Sequence, residues 1–379
     1  MIAARPSRLV VAVFGMTATL AAWFAVNGIR LGFSRPYGSD FAAYYALALI
    51  GIDRGWDKLY DLDEQRRMWT ALGPLPFYPN AQTPVTAYLV APFTALPLPV
   101  AYGLWSLLTV VLLLACWWLL APGRGLVKAA HLTVPLSFLP TGLALYLGQI
   151  DFVVIAALTA AFVALRAGRE ATAGLALVLI AVKPQLAILV PFALLLRGHR
   201  RTFAWWAAGS ALLLAVVVVT VTPSGISAYL LRMSTSARVV GPWQIQANLT
   251  VAGLLDYSAL GWIAAAALSA AALVAVWRRR EEPLEITFVA SLLGSMLLAP
   301  FLHAYDLVVL VPAAWLLLRT PVSVWQRGLL ALAYIAGQAA NAAAVGGLPF
   351  VVCEIALLAT LLLARKRSAV AEAPAAALP

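Results

Sequence analysis

Charge is scarce in this chain, and the motifs of nucleotide chemistry are missing from it. Only 11% of the 379 residues are charged, while 63% are hydrophobic, and the mean hydropathy is +0.92. A soluble domain has nowhere to bury that much apolar surface, so the composition indicates an all-α polytopic membrane protein. There is no Walker A loop, no glycine-rich dinucleotide turn and no zinc-ligand spacing. A soluble nucleotide site is thereby excluded, and any activated donor has to arrive in the membrane. The two cysteines, Cys116 and Cys353, sit inside distant apolar runs and argue against a structural disulfide.

The net charge of +11 does not mark a nucleic-acid binder. Most Lys and Arg residues fall in short clusters between apolar runs: Arg5/Arg8, Arg124/Lys128, Arg166/Arg169, Arg197/Arg200/Arg201, Arg278–Arg280, Arg319/Arg327 and Arg365–Arg367. Basic residues held on the cytoplasmic side produce this pattern. Apolar residues 9–29 follow a basic start without a small-residue cleavage site, which reads as a retained anchor. Further apolar runs lie at 98–120, 129–146, 148–165, 171–182, 184–196, 202–222, 258–277, 284–301, 304–318, 328–344 and 349–364. With every basic cluster inside, they make ten to twelve passes. The pair 171–182 and 184–196 reads as a hairpin with Lys183 near its outer tip, or as a re-entrant loop broken at Pro184. The tail 368–379 is disordered by composition, leaving 1–367 as one membrane domain.

The outer loop 30–97 holds six of the fifteen acidic residues. Phe41, Tyr44, Tyr45, Ala48, Leu49 and Ile52 repeat at helical spacing and predict an amphipathic helix closed by Gly55. A second helix is expected from Asp61, where "DLDE" has the form of a capping box, to Gly73-Pro74. Asp40, at the head of the first helix, reads either as a cap or as a general base beside the membrane. Lys183 reads either as a snorkelling tip or as a contact for a lipid phosphate, with Gln185 adding a hydrogen bond. His303 and Asp306 lie one turn apart in "PFLHAYDLVVL": a cap in the headgroup zone, or a pair that binds sugar or phosphate or moves a proton. Gln149 and Asp151 in "LGQIDF" begin another outer-side helix and reach toward the same cleft, with Asp151 read first as a favourable N-terminal charge. One His and one Asp do not fill a metal shell, so no metal is assigned, and a divalent ion stays open. Tyr44, Tyr45, Trp56 and Trp243 either stack on sugars or belong to the interface belt. "NLT" at Asn248 fits the glycosylation pattern only as chance allows.

"GSDFAAYY", "LYD", "FYP" and "LPLPVAYGLWSLL", followed in order by "LGQIDFVVIAALTAAF", "AVKPQLAILVPFALLLRGHRR" and "LAPFLHAYDLVVLVPAAWLL", resemble glycosyltransferase family 87. The resemblance covers most of the chain. It implies a GT-C-like bundle with outer-loop helices as a lid over a periplasmic cleft in a bacterial plasma membrane. It implies a sugar on a polyprenyl phosphate as donor, mannose by default, and a lipid or glycan acceptor, with inversion and no nucleic acid. By the family pattern Asp40 is the general base, Lys183 faces the donor phosphate and His303 lies at the cleft. "YPNAQTP" and Asp151 depart from what many relatives show, and this bears on substrate identity. The competing class is a lipid or small-molecule transporter, favoured by broken helices and opposed by the long loop and the absence of repeated halves.

Overall fold

The computed structural model describes residues 7–34, 39–73, 77, 79–238, 249–340 and 346–363. The expectations for Trp243, Asn248, Arg365–Arg367 and the tail 368–379 lie outside these residues. Among the described residues, each of the twelve apolar runs is mainly helical and no strand occurs. The fold is that of an all-α polytopic membrane protein.

Four helices are long and apolar enough to cross a bilayer alone: Arg8–Gly28, Leu98–Leu120, Arg200–Met233 and Ala259–Arg278. They present exposed large side chains such as Met16, Trp23, Leu107, Trp118, Leu212, Val219 and Ile263, a surface suited to lipid rather than water. A fifth span forms if Gly125–Leu136 and Leu139–Leu147, bent by 65°, count together. Pro135 and Pro140 flank that bend and cannot continue the hydrogen-bond ladder. Gln338 replaces the lost bonds, accepting from Leu139 N at 2.6 Å and donating to Ser137 O at 2.7 Å. The remaining expected passes are shorter than the roughly 20 residues a span needs. Leu284–Leu298, for example, is buried almost throughout, packed between Ala259–Arg278 and the shorter helices Leu189–Arg197, Leu310–Leu318 and Leu348–Leu363. By length and composition alone four helices qualify, or five with the bent pair, and the other expected passes fall on shorter helices.

The basic clusters meet at one end. Arg166 and Arg319 lie 3.6 and 3.9 Å from the same carboxylate oxygen of Glu285, and Arg197 donates to Thr287 at 2.9 Å. Residues 40, 149–151, 183 and 303–306 lie at the opposite ends of the helices these clusters flank.

Both loop helices form. Leu62–Leu72 starts at Asp61, whose Oδ1 accepts from Asp63 N and Glu64 N at 2.9 and 3.2 Å, and stops at Gly73. Glu64 does not close the box; it pairs with Arg67 at 2.9 Å. The first helix, Ser39–Asp53, departs from expectation: Phe41, Ala42, Tyr44–Ala48 and Ile50 are all buried. It is not a half-exposed amphipathic helix but a buried one, covered by the loop helices and by neighbouring helix ends. Gln65 ties the proline-rich return to this lid, donating to Leu59 O and Asn80 O and accepting from Asn80 N.

Candidate active site

Three chain breaks place the polar side chains. The first is Gly148, at the end of Leu139–Leu147, in the left-handed region at φ 67°. Gln149 N then reaches back to Ala144 O at 2.9 Å, the Schellman closure that glycine permits. A Cβ on Gly148 would lie 2.7 Å from the Cβ of Phe41, so glycine also allows residues 148–149 to pack against the turn carrying Asp40. Trp105 locks this turn by donating to Gly148 O at 2.9 Å.

The second break is Lys183-Pro184. Helix Glu170–Val178 tightens into a 3₁₀ turn, and Lys183 leaves helical geometry at φ −152°, ψ 69°. Proline offers no N–H to continue the ladder. The carbonyls left free there are taken by the loop: Thr83 Oγ1 lies 3.1 Å from both Ala181 O and Val182 O, and Thr86 Oγ1 lies 3.3 Å from Val182 O. The lid is therefore stitched to the peptide that presents Lys183. At the third break, His303 precedes the 3₁₀ helix Ala304–Val309, and Asp306 Oδ2 accepts from His303 N at 2.7 Å.

These breaks converge on one polar cluster. Lys183 is 2% exposed and donates to Asp151 Oδ1 at 2.8 Å and to Asp306 Oδ1, both Asp residues being 0% exposed. Its third contact is Gln149 Oε1 at 3.5 Å. Tyr44 donates to that same oxygen at 2.9 Å, and Gln149 Nε2 donates to Asp40 Oδ2. The Tyr305 ring lies under Lys183 with its centroid 4.9 Å from Nζ and stacks on His303 at 5.0 Å and 13°. Asp40 and His303 are the half-buried members, the His303 side chain being 34% exposed. They form the mouth together with the half-buried Tyr305; Tyr44, Gln149, Asp151, Lys183 and Asp306 form a buried floor.

Desolvation pushes the Asp40 carboxyl above the ordinary carboxylate range, with His303, Lys183 and the Gln149 hydrogen bond acting against that rise. Its helix begins one residue earlier, and its carboxylate faces Gln149. The acid is thus turned toward the site.

Asp40, Tyr44, Gln149, Lys183, His303 and Asp306 are brought together as the sequence suggested. Gln185 is not: it sits half-buried on the next 3₁₀ turn, with no hydrogen bond to the cluster. Lys183 is no snorkelling tip, since both its carboxylate partners are buried with it. Asp306 is both a cap and a site member, through different oxygens. Asp151, read first as a helix-end charge, is a full partner of Lys183, and Tyr305 was missed. The signal for Asp151 was its spacing two residues from Gln149 at a helix start facing the same end as Lys183. Tyr45 bonds Leu96 O and Trp56 packs on Tyr88, so neither of these aromatics enters the cluster. Among the described residues, no three His, Cys, Asp or Glu side chains group to hold a metal ion. A separate apolar cavity of about 520 Å³ lies between the first span and residues 131–138, 307–318, 330–335 and 350–357, and contains none of the cluster residues.

The fold and site define an integral membrane protein with a lid-covered, ion-paired polar site at one end of a helical bundle. The family model for glycosyltransferase family 87 matches residues 81–302, more than half of the chain, and the protein belongs to that family. Gln149, Asp151 and Lys183 lie inside the matched span, whereas Asp40, His303 and Asp306 lie outside it. No curated protein and no solved structure matches the chain. The protein is therefore a membrane glycosyltransferase by family.

Proposed function

We propose that this glycosyltransferase moves a hexose, mannose by family default, from a polyprenyl phosphate to a hydroxyl of a lipid or glycan acceptor. The observation that carries this reading is that a half-buried carboxylate, Asp40, and half-buried His303 both edge a buried polar cluster. Asp40 takes the proton of the acceptor hydroxyl while its oxygen bonds to the anomeric carbon. The bond from that carbon to the phosphate oxygen breaks on the opposite face, which inverts the centre and releases polyprenyl phosphate. That leaving group departs already charged and needs stabilisation more than a proton. Contact between Lys183 and the phosphate requires the ammonium to give up one of its three buried partners, Asp151, Asp306 or Gln149. His303 reaches the mouth with no such exchange.

The basic clusters gathered near Glu285 favour that end as cytoplasmic, which turns the cluster to the periplasm of a bacterial plasma membrane. The apolar cavity supports a membrane-borne donor: its wall includes Leu307 and Leu310, on the segment that follows Asp306, and its size suits a lipid chain. Filling it with Ala333→Trp is expected to raise the KM for the polyprenyl donor about tenfold with kcat little changed. An unchanged donor KM would place the chain elsewhere.

The test is transfer from a labelled polyprenyl-phosphate sugar to membrane lipid acceptor by the reconstituted protein. Its pH dependence follows from Asp40. A carboxyl raised by burial stays protonated to higher pH, and a protonated base cannot accept a proton. Turnover should therefore fall, as pH is lowered, at a pH above that of an ordinary carboxylate. An acid limb confined to the ordinary Asp range, about 3.9, counts against a buried base. A transporter would show no labelled product at any pH.

A further inference from the structure

We infer that Gln149 is the positioning residue for Asp40 and that Lys183, clamped by Asp151 and Asp306, sets the direction of its amide. This rests on the reading of Asp40 as the base and goes beyond it, because it gives the buried floor a task other than binding donor.

The inference follows from which atoms can only donate. An ammonium has three N–H groups and no acceptor, so the Gln149 atom turned toward Lys183 has to be the carbonyl oxygen. The distances agree: Oε1 lies 3.5 Å from Lys183 Nζ and 2.9 Å from the Tyr44 hydroxyl. With the oxygen fixed inward, the amide NH₂ is forced outward, where it meets Asp40 Oδ2. One carboxylate oxygen of Asp40 is thereby engaged; among the described residues no hydrogen bond takes the other, which we assign to the acceptor hydroxyl. The amide cannot flip without turning an NH₂ toward an ammonium. Nor can Lys183 swing away easily, because Asp151 and Asp306 arrive from two separate helix starts and hold it from both sides. Gln149 is 0% exposed and reaches the mouth only through its bond to Asp40, so it is poorly placed to bind sugar. A chain of fixed polar contacts thus runs from a buried ion pair to the aim of a half-open base. Besides the Gln149 hydrogen bond, the charged groups that act on Asp40 are His303, Lys183, Asp306 and Asp151.

Two variants in the full-length reconstituted protein separate this role from mere packing. Gln149→Met removes both halves of the amide. Gln149→Glu keeps an oxygen for Lys183 and Tyr44 but offers Asp40 no amide N–H. Each is expected to lower kcat roughly 100-fold, the cost of a misplaced catalytic group, with donor KM within about twofold of wild type. In Gln149→Met the acid limb of the rate profile should also move to higher pH, since Asp40 loses a hydrogen bond that favours its ionised form. A packing defect would not move that limb. Wild-type turnover by Gln149→Glu would overturn the inference, as would a raised donor KM at unchanged kcat in either variant. So would an unmoved acid limb in Gln149→Met. If Asp40→Asn itself turns over normally, the base reading fails instead, which is a distinguishable result.

Discussion

Asp40→Asn should abolish sugar transfer while leaving the protein folded. General-base catalysis contributes about 10²- to 10⁴-fold, so turnover should drop by that order at every pH, with the acid limb lost along with the base. The asparagine keeps the shape of the side chain, and its amide oxygen still accepts from Gln149 Nε2, the contact seen at Asp40 Oδ2. Stability should not suffer. A carboxyl held above its ordinary value by burial is one whose ionisation opposes folding, so a neutral isostere removes a cost. Thermal unfolding in detergent should therefore match wild type or lie slightly above it. Unaltered transfer would remove Asp40 from the chemistry and leave it as a first-turn residue of the Ser39–Asp53 helix.

Much of this site was legible because a membrane sequence makes polar residues conspicuous. Asp40, Lys183, His303 and Asp306 each interrupt or flank an apolar run, and the basic clusters indicate which run ends share a side. Side and depth followed from that; pairing did not. Lys183 meets partners 32 and 123 residues away, and no periodicity encodes such distances. Hence Lys183 read as a group waiting for an anion when its anions are supplied by Asp151 and Asp306. The Ser39–Asp53 helix was misread for a related reason. Its apolar repeat fixed one face, but the other face is closed by elements that only tertiary packing brings near. Gln185 stands on the 3₁₀ turn Pro184–Leu186, with no hydrogen bond to the cluster, a local turn not anticipated from the sequence. The threonines of the loop were not anticipated at all. Thr83 and Thr86 look like ordinary loop residues until the break before Lys183 leaves carbonyls for them to bond.

The second large effect should come from Lys183→Met, and it should be structural before it is catalytic. The substitution leaves Asp151 and Asp306 at 0% exposure without the cation they share, and Asp151 Oδ2 already has no hydrogen-bond partner among the described residues. Breaking a buried pair by removing one member costs about 3–5 kcal/mol, chiefly as the uncompensated charge left behind. That is a large share of a typical stability of roughly 5–15 kcal/mol. The expected result is a sharp fall in monodisperse yield and in the temperature of unfolding. Tyr305 would lose the cation over its ring, and Gln149 would lose the donor that sets its amide, so surviving protein should be slow as well. If the damage is electrostatic, removing an excess acid should repair part of it. Lys183→Met combined with Asp151→Leu should unfold at a higher temperature than Lys183→Met alone, although Asp306 still lacks its cation. A lysine whose main task is contact with donor phosphate predicts the reverse: normal yield, a raised donor KM and no rescue by the second change. Measuring unfolding temperature and donor KM on the same three proteins decides between the two.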